Sequence, residues 1–348
     1  MRFCRPRRIG RKSPKPHRTV LGFSAGVLLV SGLPAASAGP VPASSAVLLP
    51  GVEGRVYVTN QLDDTVSVID ARTNKVAATV PTGSAPEGIA VAPDGGHVYI
   101  AENGSGMVSV LDTRTNTIVA SAPVGKDPSG VDLSPDGRFL YVANGGSNSV
   151  SVLDTRTNRV TASIPVGSSP VSVTISGDGA TAYVANSGSG SVSVIDTRTR
   201  RVVRDLAAGR SPVGVSVTPD GESVYVANES AASVSIIEAR TGTVKATVPV
   251  GEGPFDVALG PDGRSAYVAV LGPGNVSVLD TRTRRVSATV SVGPPGTDPF
   301  NVAVTSGAVY VTEQGAGTLT VIDPKTLKVV ATIPVGNSPY GVAAMVVA

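Results

Sequence analysis

The sequence predicts an all-β chain folded as a seven-bladed β-propeller of four-stranded antiparallel blades, and three observations predict it. A tyrosine opens a short apolar run at Tyr57, Tyr99, Tyr141, Tyr183, Tyr225, Tyr267 and Tyr310, spaced by 42 residues five times and by 43 once. Within each period lie four short runs rich in Val, Ile, Thr and Tyr, separated by Gly, Pro, Asn and Asp. A proline-led run recurs equally often, at Pro86, Pro128, Pro170, Pro212, Pro254, Pro299 and Pro339. A fixed period of this length built from four strands is one propeller blade.

The N-terminus reads differently from the repeats. Residues 1–19 carry eight Lys and Arg, an apolar run extends from Val20 to Leu33, and Ala36-Ser-Ala38 follows. A basic stretch, an apolar stretch and a small-residue cleavage pattern make a secretory signal peptide over residues 1–38. The apolar run is shorter than the ~20 residues that span a bilayer, so no transmembrane span is expected once the signal is removed. Residues 39–50 are Pro, Ala and Ser-rich and read as a linker, and 51–348 as the propeller. Loss of residues 1–38 removes eight of the 29 Lys and Arg and none of the 26 Asp and Glu, leaving a formal balance of −5. The basic character of the whole chain is therefore no argument for a nucleic-acid partner. The single cysteine, Cys4, departs with the signal, so thiol and disulfide chemistry are not expected.

One repeat can be followed from residue 128. Residues 128–134 alternate in polarity, and Pro135-Asp-Gly137 turns the chain, proline presetting one dihedral and glycine supplying a positive one. Residues 139–143 form the tyrosine strand and residues 144–148 a glycine-rich loop. Residues 149–153 form a third strand, Asp154 to Asn158 turn again, and residues 160–166 form the fourth. Outside the signal no window shows helical periodicity.

Tyr57-Val-Thr-Asn60, the serine-valine alternation ending in aspartate, Ile-Pro-Val-Gly and the Pro-Asp-Gly turn together resemble the YVTN family of propeller repeats over residues 55–348. The resemblance implies the propeller fold and a secreted or surface setting, and little about activity. In such propellers the proline-led strand lies nearest the axis. The last strand, from Tyr340 to Val347, then completes the blade begun at Val56 and closes the ring. The same resemblance puts the loops before the proline and after the tyrosine strand on one face, and the Pro-Asp-Gly and Asp-Thr-Arg-Thr turns on the other.

Departures from an internal consensus are where function is grafted onto a repeat scaffold. The residue after the repeated proline runs Glu87, Ser129, Val171, Val213, Phe255, Phe300, Tyr340, so three aromatics fall on consecutive strands. Asp256 and Asn301 stand beside them, where most repeats have glycine. Glu102, Val270 and Glu313 replace the asparagine of the tyrosine strand, and the loop at 293–300 is longer than its counterparts. Phe255, Asp256, Phe300, Asn301, Tyr340, Glu87, Glu102 and Glu313 are thus the candidate ligand-binding residues, at the mouth of a central channel. The aromatics either form a patch for a sugar or a protein side chain or pack on one another as a plug. On the other face Arg72, Arg114, Arg156, Arg198, Arg240, Arg282 and Lys325 form a ring of cations, each two residues after an acid. The ring either holds a polyanion or pairs locally with acids that cap their own turns.

Catalytic residue types are scarce. After the signal the one histidine is His97, beside a Pro-Asp-Gly turn and away from the mouth. A Ser-His-Asp triad at the mouth and a His/Cys metal site both lack their members. No cofactor is expected. The leading expectation is a secreted or cell-surface, monomeric propeller that acts as a non-catalytic scaffold for a cell-envelope glycan or protein. The alternatives are a lactonase-like hydrolase or lyase with a carboxylate-held divalent cation, and a binder of single-stranded nucleic acid.

Overall fold

A computed structural model describes residues 54–346. The signal peptide and the linker over 39–50 lie outside the described residues. Twenty-eight strands form seven four-stranded antiparallel sheets. Blades 2 to 6 span 86–123, 128–165, 170–207, 212–249 and 254–291, and blade 7 spans 299–334. Blade 1 combines the last strand, Pro339–Val346, with Gly54–Asn60, Thr65–Asp70 and Lys75–Pro81. This is the ring closure expected from the order of the repeats. Among the described residues the only helical segments are two single 3₁₀ turns, Gly145–Ser147 and Glu229–Ala231, and no helix is long and apolar enough to cross a membrane.

The repeat chemistry explains each blade. The two middle strands are buried on both faces, so the tyrosine strand reads as a continuous run of Tyr, Val and Ala, and the third strand fills its positions with Val and small Ser. The outer strands alternate between exposed and buried positions because one of their faces meets water. The Pro-Asp-Gly turn places Gly137 at φ 69°, a left-handed conformation that glycine adopts without Cβ strain, while Asp136 Oδ1 accepts the Arg138 N–H at 3.0 Å. The conserved-looking pair Asn and Ser is a joint. Asn144 Nδ2 donates to Ser151 Oγ at 3.0 Å, and Asn144 Oδ1 accepts from Gly125 N at 3.0 Å, tying the incoming loop to the tyrosine strand.

Between each pair of neighbouring blades lies one apolar cluster, seven in all, and each contains one repeat tyrosine. Tyr57 sits with Ile89, Val98 and Leu111 between blades 1 and 2, and Tyr310 sits with Val56, Val58 and Ile69 between blades 7 and 1. The proline-led strands line the axis, and a channel cavity of about 250 Å³ runs between them.

Closure rests on the pairing of Pro339–Val346 with Gly54–Asn60, in which Tyr57 faces Ala343. Deleting residues 338–348 exposes an unpaired edge and opens the cluster shared by blades 7 and 1. It should lower the melting temperature by about 10 °C or more, whereas deleting residues 39–50 should leave it nearly unchanged. Equal melting temperatures for the two truncations, read by circular dichroism, would refute this account of closure.

Candidate functional site

The mouth is built from the second residue of each axial strand. Phe255, Phe300 and Tyr340 lie side by side, as the repeat order requires, and pack on one another. The Phe255 and Phe300 rings stack with centroids 3.6 Å apart, and Phe300 meets Tyr340 edge-on at 4.6 Å. Phe300 is only 7% exposed, and Phe255 and Tyr340 are half-buried. Of the two readings of these rings, their packing on one another fits a plug.

Beside the aromatics is a polar group. Glu87, 7% exposed, accepts from Gln61 Nε2 through Oε1 at 2.9 Å and faces the hydroxyls of Ser129 and Tyr340, which lie 3.3 Å apart. Burial pushes the Glu87 carboxyl up to about 7, against the bonds from Ser129, Gln61 and Tyr340 that favour its charged form, and Asp127 adds to the upward push. Burial and the neighbouring Glu87 raise the Tyr340 phenol well above its ordinary value. Thr59 locks this corner: its hydroxyl donates to the Glu87 carbonyl at 2.6 Å and accepts from Gly341 N at 2.8 Å.

Asp256 and Asn301 line the channel, but each commits an oxygen to holding blades together. Asp256 Oδ2 accepts from Val302 N at 3.0 Å, and Asn301 Oδ1 from Val342 N at 3.3 Å. Their position is glycine in four other blades because neighbouring axial strands approach closely there. A Cβ on Gly88 would land on the Ser129 carbonyl, and one on Gly341 on the Glu87 carbonyl. In blades 6 and 7 a longer side chain replaces that close approach with a hydrogen bond, so the polarity of these two residues has a structural cause.

Glu102 and Glu313 are not brought to the mouth cluster. Glu102 takes over the asparagine joint: Oε1 accepts from Gly83 N at 2.8 Å and Oε2 from Ser105 Oγ at 2.9 Å. Glu313, 2% exposed, accepts from Thr318 Oγ1 through Oε2 at 2.8 Å, and its burial raises the carboxyl above the usual range. Both carboxylates lie inside their own blades. Two mouth residues escaped the sequence reading. Leu62 stands where the other repeats have Gly or Ser two residues after the tyrosine strand and is 67% exposed, and Gln61, at a position that varies between repeats, bonds the Glu87 carboxyl. The same search for departures, applied to that loop, would have found Leu62.

Deeper in the channel, burial pushes both Asp132 and Asp256 up to about 6. The channel lining contains no Lys, Arg or His, and among the described residues no three His, Cys, Asp or Glu side chains converge in metal-binding geometry. On the turn face the acids before the cation ring cap their own turns: Asp70, Asp112, Asp154 and Asp323 each accept the N–H two residues on through Oδ1. The seven ring cations are exposed and form no ion pair among the described residues.

Comparison with known proteins agrees with this architecture. A family model described as lactonase, 7-bladed beta-propeller, matches residues 53–201, and one described as YNCE-like beta-propeller matches residues 176–271. Among solved structures, Kuenenia stuttgartiensis hydrazine synthase superposes with a TM-score of 0.71 at 27% identity, over 82% of this chain and 99% of that one. A functionally unknown protein from Desulfotomaculum acetoxidans DSM 771 gives 0.71 at 18% identity, over 84% of this chain and 99% of that one. Dihydro-heme d1 dehydrogenase NirN gives 0.63 at 20% identity, over 85% of this chain and 66% of that one. The last two likenesses concern the fold alone. A curated relative, PE-PGRS family protein PE_PGRS18 of Mycobacterium tuberculosis (strain ATCC 25618 / H37Rv), is 52% identical over 40 residues, which is 12% of this chain and 9% of that protein. The chain therefore spans only a small part of that relative.

The buried mouth acid has a measurable consequence. Glu87 titrates near 7 when folded and near its ordinary 4.5 when unfolded. Between those values the unfolded chain is ionised and the folded one is not, so stability falls as pH rises from 4.5 to 7 and levels off above. Asp132 and Asp256 act in the same sense between their ordinary value of 3.8 and about 6. Glu87→Gln should therefore melt with the wild type at pH 4 and about 5 °C above it at pH 8, up to about 3 kcal/mol being at stake. A difference that is the same at both pH values would show that Glu87 ionises in the fold without penalty.

Proposed function

We propose that the chain is a secreted or cell-surface propeller of the YVTN-repeat kind that acts as a non-catalytic binding module for a cell-envelope protein or glycan, engaged through one half of its mouth face. The observation that carries this reading is the placement of the departures from the repeat. Phe255 in blade 6, Phe300 and the long 293–300 loop in blade 7, Leu62 and Tyr340 in blade 1, and Glu87 in blade 2 form one continuous arc. Blades 3 to 5 keep Ser or Val at the ring position and Gly-, Ser- and Ala-rich loops, interrupted by the charged Lys126, Asp127, Arg210 and Glu229 but by no aromatic. A binding face on a repeat scaffold takes this asymmetric form, because the scaffold needs the consensus everywhere and a ligand needs it broken in one place. The packing of the aromatic rings on one another, with exposed Leu62 beside them, favours a protein surface over a sugar that needs an open ring face.

A second reading is a lactonase-like hydrolase. The family match over residues 53–201 and a mouth carboxyl poised near neutrality beside two hydroxyls favour it.

Purified envelope proteins and glycans, and Ca²⁺ or Mg²⁺ with and without EDTA, separate the two readings. Binding weakened at least about tenfold by Leu62→Asp, a solvent-facing change that leaves the fold intact, supports the binding module. A metal-dependent thermal shift reversed by EDTA, together with lactone hydrolysis lost in Glu87→Gln, would replace it by the enzyme.

A further inference from the structure

One departure from the repeat stands on the opposite face. Phe139 opens the strand Phe139–Asn144, where the corresponding residues of the other blades are Arg55, His97, Thr181, Ser223, Ser265 and Ala308. Among the described residues it is the one phenylalanine on the turn face. It is half-buried against the cluster shared by blades 3 and 4. Two guanidinium groups lie over it, the Arg138 Cζ at 5.1 Å and the Arg200 Cζ at 4.9 Å from the ring centre. The two guanidinium carbons are therefore within about 10 Å of each other.

The two arginines come from different blades and are held by different means. Arg138 follows the Pro-Asp-Gly turn of blade 3, and its Nε stands 3.7 Å from Asp154, which leaves both Nη groups outside that pair on a side chain 53% exposed. Arg200 occupies a left-handed position in blade 4, φ 55°, where blades 1 to 3 have asparagine and blade 6 again has an arginine, Arg284, φ 56°. An arginine there gives up the residue best suited to that backbone. Its Nη1 donates to Thr161 Oγ1 at 3.0 Å, across the seam to blade 3. Three neighbouring acids of these two blades are engaged on their own turns, Asp136 and Asp178 accepting from Ser134 and Ser176 and Asp196 from Thr199, while Asp154 stands against Arg138. The whole face shares the bias. Among the described Lys and Arg, only Lys126 and Arg210 belong to loops on the mouth face.

We propose that Arg138 and Arg200, positioned on Phe139, form a binding site for a phosphodiester chain on the turn face. A guanidinium fork matches the paired oxygens of a phosphate. Two forks this close on a rigid seam address neighbouring phosphates of one strand. The aromatic ring is already covered by the cations, so no base stacks on it and the contact is to the backbone alone, independent of sequence. A single-stranded nucleic acid and a polyol-phosphate polymer of the envelope both carry this chemistry. The site is independent of the mouth.

The test uses the full-length chain throughout, so that the basic N-terminus contributes equally to every variant. A 20-nucleotide single-stranded DNA and a poly(glycerol phosphate) are titrated against wild type, Arg138→Gln/Arg200→Gln, Phe139→Leu and, as a control, Arg72→Gln/Arg114→Gln in blades 1 and 2. The Arg138/Arg200 pair change should weaken binding about tenfold or more and lower the salt slope by about two. Phe139→Leu should weaken it less, and the control should stay within about twofold of wild type. Which of the two polymers binds identifies the source. Equal losses in the control would mean a diffuse charged face, tighter binding of heparin with the same dependence would mean a sulfate site, and no loss in the pair variant would leave no site at all. Each of these overturns the proposal. Unchanged melting temperatures exclude misfolding as the cause of a loss.

Discussion

The structure depends on a circle that must close. No blade buries its own faces. Each sheet is covered by the next, and the seven tyrosines are the wedges of the seven shared cores, from Tyr57 against blade 2 to Tyr310 against blade 1. A stack of such blades in a line would leave an apolar face at each end. The ring removes both ends, and it does so with one piece of chain, Pro339–Val346, which joins the first blade from the far terminus. The last few residues therefore close the ring, and the clasp corner is where Thr59, Gly341 and Glu87 are locked together. The acid at the mouth is part of that seam as well as part of the candidate binding arc.

Seven blades of four strands were legible in the sequence, because period and turn chemistry determine them and both are local, while the closing strand and the separation of the two faces followed from the resemblance to propeller repeats. The fate of individual side chains was not legible. Glu102 reads as a candidate ligand-binding carboxylate placed where other repeats have asparagine. In the fold it performs the asparagine's task, its Oε1 accepting the same incoming glycine N–H that Asn144 and Asn228 accept elsewhere. Asp256 and Asn301 read as ligand groups because they replace glycine. The fold explains that glycine by the approach of the neighbouring axial strand, a contact between residues some forty positions apart that no local pattern encodes. A departure from consensus marks a place where the local contact has changed, and only the neighbouring blade says whether the new side chain serves the scaffold or the solvent.

The aromatic arc illustrates the coupling. The blades that carry Phe255, Phe300 and Tyr340 at the ring position are those whose next residue is Asp256, Asn301 or the closing Gly341. Rings of this size at the mouth need their strands held in place, and the Asp256 and Asn301 bonds to the following strands supply the tie that close backbone packing supplies elsewhere. The plug and the ties form one unit, so a change at either should be felt at the other.

Charge follows a different logic from shape. The turn face is basic although the chain beyond residue 38 is acidic overall, because every Asp-Thr-Arg-Thr turn pairs an acid that is consumed in capping with a cation that points away. The repeat therefore generates an exposed ring of cations as a by-product of its turn chemistry. A by-product of this kind is symmetric and sequence-wide, and its symmetry gives it no place for a specific partner. Phe139 breaks that symmetry. Together with an arginine in a backbone conformation that favours asparagine, it gathers two of the face's cations onto one ring at one seam. The mouth and the turn face thus obey one rule: the scaffold repeats, and a site arises where neighbouring blades depart from the repeat together.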